Sequence, residues 1–324
     1  MTNIVFASNN IAHFPLSESG SVADTFDATR VPYAISLTGY DTIHGPEFTP
    51  VTGDDTWFHF RFYADDIDTS LGTSLISGYL DDGELLFDIR KKTSSSSMRA
   101  TVKVDNGSTD VSVDTTNSWT LYKVNTCDVK VTVTSLLIEV SLYINSALSA
   151  TATINSNPNG LTAPVRFSLS DAMNDVSTAV THFSEIIVAD GDTRNARLDL
   201  LRPVSTGAHE EWTGNLADIA DDDPTSGLTA ITGGLRQTAG LSTYTGASNI
   251  SNFIITSQTT RGQNSPTGLQ HMVRLGGVDY TSSTIPVDFT LQYNLTDYAL
   301  NPATSLPWVG ADVALVETGF KSIT

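Results

Sequence analysis

The chain has 324 residues, with 17 Lys and Arg against 36 Asp and Glu, which gives a formal net charge of −19. At about 100–200 residues per domain, this length favours two domains or one very large one. The acidic balance argues against a nucleic-acid or anionic-membrane partner, because phosphate groups are bound by clustered Lys and Arg. The single cysteine, Cys127, excludes an internal disulfide framework and a multi-cysteine zinc site, and its alternating surroundings indicate a buried strand residue.

The first residues lack the basic start and long apolar stretch of a secretion signal. No run approaches about 18 uninterrupted apolar residues, so no membrane insertion is expected. The sequence therefore predicts a protein that is made in a cytoplasm, and these observations do not indicate where it is finally located.

Apolar and polar residues alternate along most of the first 190 residues, which is the pattern of half-buried β-strands. Residues 56–63 place three phenylalanines on one face and Trp57, His59, Arg61 and Tyr63 on the other. Further strands are predicted over residues 74–79, 84–89, 98–104, 111–113, 119–124, 129–133, 136–144, 148–154, 165–169 and 183–189. Turn signals such as those at residues 81–83 and 145–146 separate them, and they predict an antiparallel sandwich or barrel. Before residue 190, short helical turns are expected only within residues 170–180.

A boundary is predicted at residues 190–194, which gives one domain over residues 1–194 and a second over 195–324. The first carries 11 basic and 24 acidic residues and the second 6 and 12, so their net charges are −13 and −6. Because neither half is basic, no nucleic-acid-binding module is expected in either.

The second domain begins with residues 208–241, which are rich in Gly, Thr and Asp. Strands are then predicted over residues 252–256, 269–275, 279–281, 287–293 and 320–323. Gly276 and Gly277 predict a tight hairpin. The apolar spacing of residues 308–317 predicts a short helical turn closed by Gly319.

No catalytic constellation is recognisable in the sequence. Glu185 and Asp190 come nearest to the carboxylate pair that a glycoside hydrolase needs, but five positions apart on a regular strand they point to opposite faces. We therefore interpret Glu185 as an acid at a strand edge. The six histidines show no metal-ligand spacing, and the acidic runs at residues 65–68, 81–82 and 221–223 match no calcium loop. No catalytic, cofactor-binding or metal-binding residue is predicted.

The four tryptophans differ in their surroundings. Trp57 and Trp119 lie within predicted strands, where packing in a core is the expected role. Trp212 follows two glutamates in the Gly-rich region and is expected to be the most exposed of the four. It is the one residue we single out as a contact for a glycan or for a protein interface.

Two segments resemble the concanavalin A-like (laminin-G-like) jelly-roll class. Residues 136–145 (LLIEVSLYIN) are similar to the long strand that ends in the Y-x-N-G-x-L hairpin of that class, with Ser146 in place of the usual glycine. Residues 183–190 are similar to its closing strand. The resemblance implies an all-β protein, with an N-terminal jelly-roll sandwich and a smaller C-terminal β-sandwich-like domain.

A succession of short segments resembles a family of tailed-bacteriophage structural proteins. The segments are residues 183–194 (FSEIIVADGDTR), 211–214 (EWTG), 221–225 (DDDPT), 277–280 (GVDY), 301–304 (NPAT) and 308–320 (WVGADVALVETGF). The resemblance implies a non-enzymatic virion component, tail-associated, fibre-like or on the capsid surface, that is made in the cytoplasm of a bacterial host. The partners it implies are further copies of the chain in a homo-oligomer and other virion proteins.

Other functions remain open at this point. A carbohydrate-binding module that recognises a host-surface glycan during attachment fits the jelly-roll class and an exposed aromatic residue. A capsid decoration protein fits the phage resemblance. A polysaccharide-cleaving enzyme would need two carboxylates that face one groove, and the sequence offers no such pair.

Overall fold

The computed structural model is almost entirely β and divides into two compact units, Thr2–Leu198 and Asp199–Thr324. It describes the chain except for residues 1, 10, 15–20, 24–29, 32–33, 39–40, 50–52, 54, 65–73, 95–96, 171–179, 221–222, 224, 247–248 and 264. Of residues 12, 21–23, 91–94 and 97–99 it describes the backbone only. The predicted all-β class, a jelly-roll sandwich followed by a smaller β-sandwich-like domain, is confirmed.

The first unit contains fourteen strands and one 3₁₀ turn (Ile11–His13) among its described residues. The strands are β1 (Ile4–Ser8), β2 (Ser21–Ala23), β3 (Ala34–Thr38), β4 (Thr42–His44), β5 (Asp55–Ala64), β6 (Ser74–Tyr79), β7 (Leu85–Ser94), β8 (Ser97–Asp105), β9 (Asp110–Asp114), β10 (Asn125–Val133), β11 (Ile138–Ile144), β12 (Ala147–Ile154), β13 (Arg166–Ser170) and β14 (Val180–Ala189).

These strands form two antiparallel sheets. The larger has the order β12-β11-β10-β5-β14-β3-β2, with β1 also paired to β14, and the smaller has the order β4-β13-β6-β7-β8-β9. Phe58, Phe60 and Phe62 of β5 are at most 1% exposed and pack into the core, as their alternation predicted. Cys127 on β10 is also fully buried, which confirms its packing role, and burial raises the pKa of its thiol.

Two features of the first unit depart from the predicted elements. Residues 119–124 form a turn rather than a strand, because Tyr122 has φ +56° and the side chain of Asn125 bonds both backbone groups of Thr120. Residues 195–198, assigned from the sequence to the second domain, lie in the first unit. The helical turns expected within residues 170–180 fall almost wholly outside the described residues.

The second unit contains ten strands, one short helix and a 3₁₀ turn (Leu216–Ile219) among its described residues. They are β15 (Pro203–Glu210), β16 (Arg236–Leu241), β17 (Asn249–Ile250), β18 (Phe253–Thr259), β19 (Gly268–Leu275), β20 (Val278–Thr281), β21 (Ile285–Pro286), β22 (Gln292–Tyr298), β23 (Trp308–Val309), α1 (Gly310–Val313) and β24 (Glu317–Ile323). No helix in the described part of the chain is long and apolar enough to cross a membrane.

One antiparallel sheet dominates the second unit, in the order β15-β16-β24-β19-β20, with β21 added beside β19. Two further ladders, β18 with β22 and β17 with β23, complete it. The core includes Phe253, Val273, Trp308, Val313 and Val316. The residues at the start of the phage-like segment 308–320 therefore build this core.

The structure corrects several predicted elements here. The strand predicted over residues 287–293 begins only at Gln292, and β15 and β16 lie partly within the Gly-rich stretch that seemed irregular. The helical turn α1 exists, but Gly319 does not close it, because that residue is already inside β24. Gly276 and Gly277 do form the predicted hairpin, with φ +57° and +85°.

His271 is an ionisable group enclosed within this unit. Its ring nitrogens are hydrogen-bonded to Ser257 Oγ and Thr296 Oγ1, both at 2.8 Å, and the residue is fully buried. Burial disfavours the charged imidazolium and lowers the pKa of His271 to about 4. The folded chain therefore holds this ring neutral at pH values where an unfolded chain would protonate it.

The pH dependence of stability tests this environment. Since the folded pKa lies below the unfolded value of about 6.5, the stability is complete above that value and falls as the pH drops towards 4. The free energy of unfolding, measured by urea denaturation, should fall by about 2 kcal/mol between pH 7.5 and pH 5 on account of His271. The variant His271→Gln should lose this component, while the control His44→Gln should retain it. An unchanged pH profile in His271→Gln would contradict the assignment.

Candidate functional site

Trp212, the predicted contact residue, follows β15 and is half-buried. Its indole N–H donates a hydrogen bond to the carbonyl oxygen of Leu235 at 3.1 Å, and its ring lies against Phe320 with centroids 5.9 Å apart. Its backbone N–H donates to Oε1 of Gln237 at 3.3 Å. The sheet thus fixes the orientation of the ring and leaves part of it at the surface.

The residues beside Trp212 attach this connection to the sheet. Glu211 accepts hydrogen bonds from the backbone N–H of Arg236 at 2.8 Å and from its guanidinium at 3.3 Å, and these bonds lower the pKa of Glu211. Thr213 and Thr229 exchange two backbone hydrogen bonds, at 2.9 and 2.8 Å. These contacts fix the residues on either side of Trp212 and so hold Trp212 in place.

Gly214, the last residue of the EWTG segment, lies where a side chain would clash with its neighbours. Its φ is +128°, a conformation that side chains disfavour. A Cβ atom there would lie 2.9 Å from the carbonyl oxygen of Gly227 and 2.9 Å from the side chain of Leu228. The close approach brings residues 227–228 beside Trp212 and shapes the depression between them.

That depression is a pocket of about 260 Å³. It is lined by Thr206, Glu210, Trp212, Gly214, Leu216, Leu228 and Gln237. Gln237 is only 5% exposed, whereas Thr206 and Glu210 are exposed at the rim. The pocket therefore combines an aromatic wall, two leucines, an amide, a hydroxyl and a carboxylate. Most of its accessible surface is polar.

The other face of the same sheet carries a row of charged groups, one from each of five adjacent strands. They are His209 on β15, Arg236 on β16, Glu317 on β24, Arg274 on β19 and Asp279 on β20.

Asp279, on the edge strand β20, is hydrogen-bonded to three members of this row. It is hydrogen-bonded to Nε2 of His209 at 2.9 Å, to Arg236 at 3.2 Å and to Arg274. Burial alone would raise the pKa of Asp279, but the hydrogen bonds, from Arg274 and then His209, hold it below its ordinary value. Because the charges compensate one another, the row connects the strands and leaves no unpaired acid or base among these groups.

In the first unit, the side of the larger sheet that faces away from the core is partly covered by residues 190–198. The guanidinium of Arg194 lies 4.9 Å from the ring centre of Tyr143 and 5.8 Å from that of Trp57. Trp57 is consequently only 6% exposed. Trp57 is therefore buried as expected, but it is covered by the chain segment after β14 and not by the core.

The same segment covers a buried pair of polar residues. Nδ1 of His59 and Oδ1 of Asp128 are 2.7 Å apart, and the hydroxyl of Thr193 donates to the same carboxylate oxygen at 3.0 Å. His59 is 1% exposed and Asp128 is fully buried. The pair is therefore enclosed between the sheet and the segment that contains Thr193.

Glu185 does not lie at a strand edge, so the interpretation of this residue as an acid at a strand edge is wrong. It lies on β14, between β5 and β3, is 1% exposed and has φ +52° at an irregularity in the strand. Its carboxylate accepts hydrogen bonds from Arg61 at 2.8 Å, from Arg197 at 2.8 and 3.1 Å, and from the backbone N–H of Leu198 at 3.0 Å. The irregularity turns the side chain into a buried position that two arginines neutralise.

The pKa of Glu185 reflects this enclosure. Burial by itself would raise it, but the hydrogen bonds from Arg197 and Arg61 outweigh burial and hold the pKa below its ordinary value. Asp190, the other member of the supposed pair, accepts hydrogen bonds from the backbone and side-chain amides of Asn3. Each carboxylate is thus held by its own partners, and the two do not form a general-acid pair.

The acidic runs of the sequence carry carboxylates, which are the oxygen ligands of calcium sites. Within the described part of the chain, no group of three or more His, Cys, Asp or Glu side chains is placed to hold a metal ion. Asp81 and Asp82 form an exposed turn between β6 and β7. Residues 65–68 and 221–222 lie outside the described residues.

No protein-family model matches this sequence, and no curated protein matches it either. Solved structures do show similarity in fold. One is the globular domain of T. cruzi calreticulin, with 7% identity and a TM-score of 0.40, over 59% of this chain and 89% of that chain.

Two other similar structures come from bacteriophages. The carbohydrate esterase of Shiga toxin-encoding bacteriophage phi24B has 12% identity and a TM-score of 0.36, over 58% of this chain and 90% of that chain. The CBM2 module of the evolved Dit of Lactobacillus casei BL23 phage J-1 has 10% identity and a TM-score of 0.34, over 58% and 89%. At these scores the similarities identify neither a family nor a function.

Replacing Glu185 tests its structural role. The variant Glu185→Gln removes the negative charge and leaves two arginines without their buried partner, so we expect a loss of about 3 kcal/mol in the free energy of unfolding. The control Glu84→Gln, at an exposed turn of the same unit, should change it by less than about 0.5 kcal/mol. Urea denaturation measures both, and equal effects would show that Glu185 is not the anchor described here.

Proposed function

We propose that the chain is a non-enzymatic structural protein of a tailed-bacteriophage virion, made in the host cytoplasm. In this proposal the second unit makes the contacts with other copies and with other virion proteins, and the jelly roll is displayed outward. The observation that carries it is the distribution of exposed apolar side chains. Of the eleven large ones in the described residues, eight lie in the second unit, although it is the shorter of the two.

These residues are spread over several elements of that unit. They are Val204, Ile231, Val278, Phe289, Leu291, Leu306, Val309 and Leu315, and their exposed fractions run from 42% to 74%. Exposed apolar area favours association, because contact with another subunit removes it from water. Repeated contacts of this kind between identical subunits give closed symmetric oligomers.

The phage-like segments support the same proposal through their structural roles. Trp308 is 1% exposed, stacks near Phe253 with centroids 5.0 Å apart, and donates its indole N–H to the carbonyl oxygen of Tyr298 at 2.6 Å. Asp312 accepts the backbone N–H of Val309 at 3.2 Å and so fixes the start of α1. The residues that carry the resemblance thus specify a folded framework, as expected for an assembly domain, and not a reactive centre.

Oligomerisation tests this function. We expect light scattering after size-exclusion chromatography to show a defined oligomer for the wild-type chain, and the double variant Ile231→Glu, Leu315→Glu to dissociate it, since each side chain is more than 70% exposed and would bring charge into the contact. The matched control is Leu136→Glu, at a 77% exposed leucine of the first unit, which should leave the oligomer intact. A wild-type chain that is monomeric at high concentration and absent from purified particles would contradict the proposal.

A carbohydrate-binding module for host recognition is the second candidate, and the pocket beside Trp212 favours it. Aromatic rings present an apolar face that packs against the C–H surface of a sugar, while polar neighbours bind its hydroxyls. We expect the full chain to bind glycans of the host surface on an array, with no requirement for calcium. An array without any bound glycan, with and without calcium, would remove this candidate.

A further inference from the structure

We propose that the pocket beside Trp212 binds one uncharged pyranose ring, such as the terminal hexose of a surface glycan. This inference rests on the carbohydrate-binding function proposed above and names its ligand class and the residues that select it. The pocket lies wholly within the second unit and not in the jelly roll.

The first reason is the fixed aromatic wall. The hydrogen bond from the indole of Trp212 to Leu235 and the contact with Phe320 hold the ring in one orientation before any ligand arrives. A pre-positioned ring loses little conformational freedom on binding. Leu216 and Leu228 also line the pocket, whose accessible surface is mainly polar. The fixed ring therefore offers a small apolar contact to a ligand that is otherwise bound through its hydroxyl groups.

The second reason is a buried side chain with unused hydrogen-bonding capacity. Gln237 is 5% exposed, and its Oε1 is occupied by the backbone N–H of Trp212. Its amide NH₂ group lines the pocket and donates to no acceptor among the described residues. This group is not fully enclosed, so it can donate a hydrogen bond to a ligand oxygen in the pocket. A sugar hydroxyl can accept this bond.

The third reason is the charge at the rim. Glu210 is exposed, and its carboxylate has no cationic partner among the described residues, whereas the neighbouring Glu211 is paired with Arg236. A carboxylate accepts hydrogen bonds from hydroxyl groups and repels a carboxylate on the ligand. Uronic and sialic acids should therefore be excluded. Thr206 supplies a further hydroxyl that can donate or accept.

The volume limits the ligand to one ring. At about 260 Å³ the pocket is smaller than the roughly 300–1,000 Å³ of sites that hold drug-sized molecules. A longer chain of sugars would extend into solvent. The pocket should thus recognise the end of a glycan.

The test is a titration of the full ¹⁵N-labelled chain with methyl glycosides of glucose, galactose and N-acetylglucosamine, and with glucuronic acid. The readout is the indole N–H resonance of Trp212, assigned by its loss in Trp212→Leu. At least one neutral glycoside should shift this resonance saturably, and glucuronic acid should not. Affinity for that glycoside, measured by calorimetry, should fall by about tenfold or more in Trp212→Leu. It should be unchanged in the control Phe289→Ala, which removes an exposed aromatic ring elsewhere in the unit.

A separate variant tests the repulsion that Glu210 exerts on acidic sugars. Glu210→Gln should narrow the difference in affinity between the neutral glycoside and glucuronic acid, because the amide lacks the negative charge that repels the ligand carboxylate. A folded wild-type chain that binds no neutral glycoside, or that prefers glucuronic acid, overturns the proposal. Array binding that persists in Trp212→Leu would overturn this pocket while supporting a glycan site elsewhere on the chain. The oligomer measurement is independent of all these outcomes and tests the virion role separately.

Discussion

The first unit depends on how one buried negative charge is neutralised. Glu185 points into the protein at an irregular position of β14, where an unpaired carboxylate would be strongly destabilising. Arg61 comes from the neighbouring strand, and Arg197 and the backbone of Leu198 come from the segment after the strand. Neutralisation of this charge therefore places residues 190–198 against the sheet.

This placement has consequences for the whole polar side of the sheet. With the segment in position, Arg194 covers Trp57 and Thr193 bonds the buried Asp128. The chain itself then covers the part of the sheet around these residues. The pocket beside Trp212 lies in the second unit, on a sheet whose opposite face is connected by the charged row that includes Asp279.

Much of the architecture follows from alternation alone. The three phenylalanines of β5, the hairpins at Asn145 and Gly276, and the last strand were predictable because period-two patterns and turn residues act locally. The turn at residues 119–124 was not, because its apolar residues look like a strand and only the side chain of Asn125, bonded to Thr120, closes the turn. Of the residues that line the pocket, the sequence singled out only Trp212. Nothing in the sequence places Gln237 or Leu228 beside Trp212, since these contacts join segments that are far apart along the chain.

The sequence by itself determined the β class, the acidic charge and the burial of Cys127, because each depends on composition or on neighbours along the chain, and it predicted Trp212 as a contact residue. The tertiary structure alone decided that Glu185 is a buried anchor and not an edge residue, and that residues 190–198 cover the sheet. It also decided that Trp212 lines one pocket together with Gln237 and Leu228. In each case the deciding partner, whether Arg61, Tyr143 or Gln237, comes from a strand or segment brought close only by folding, and burial then gives its charge or hydrogen bond a strength that it would not have in water.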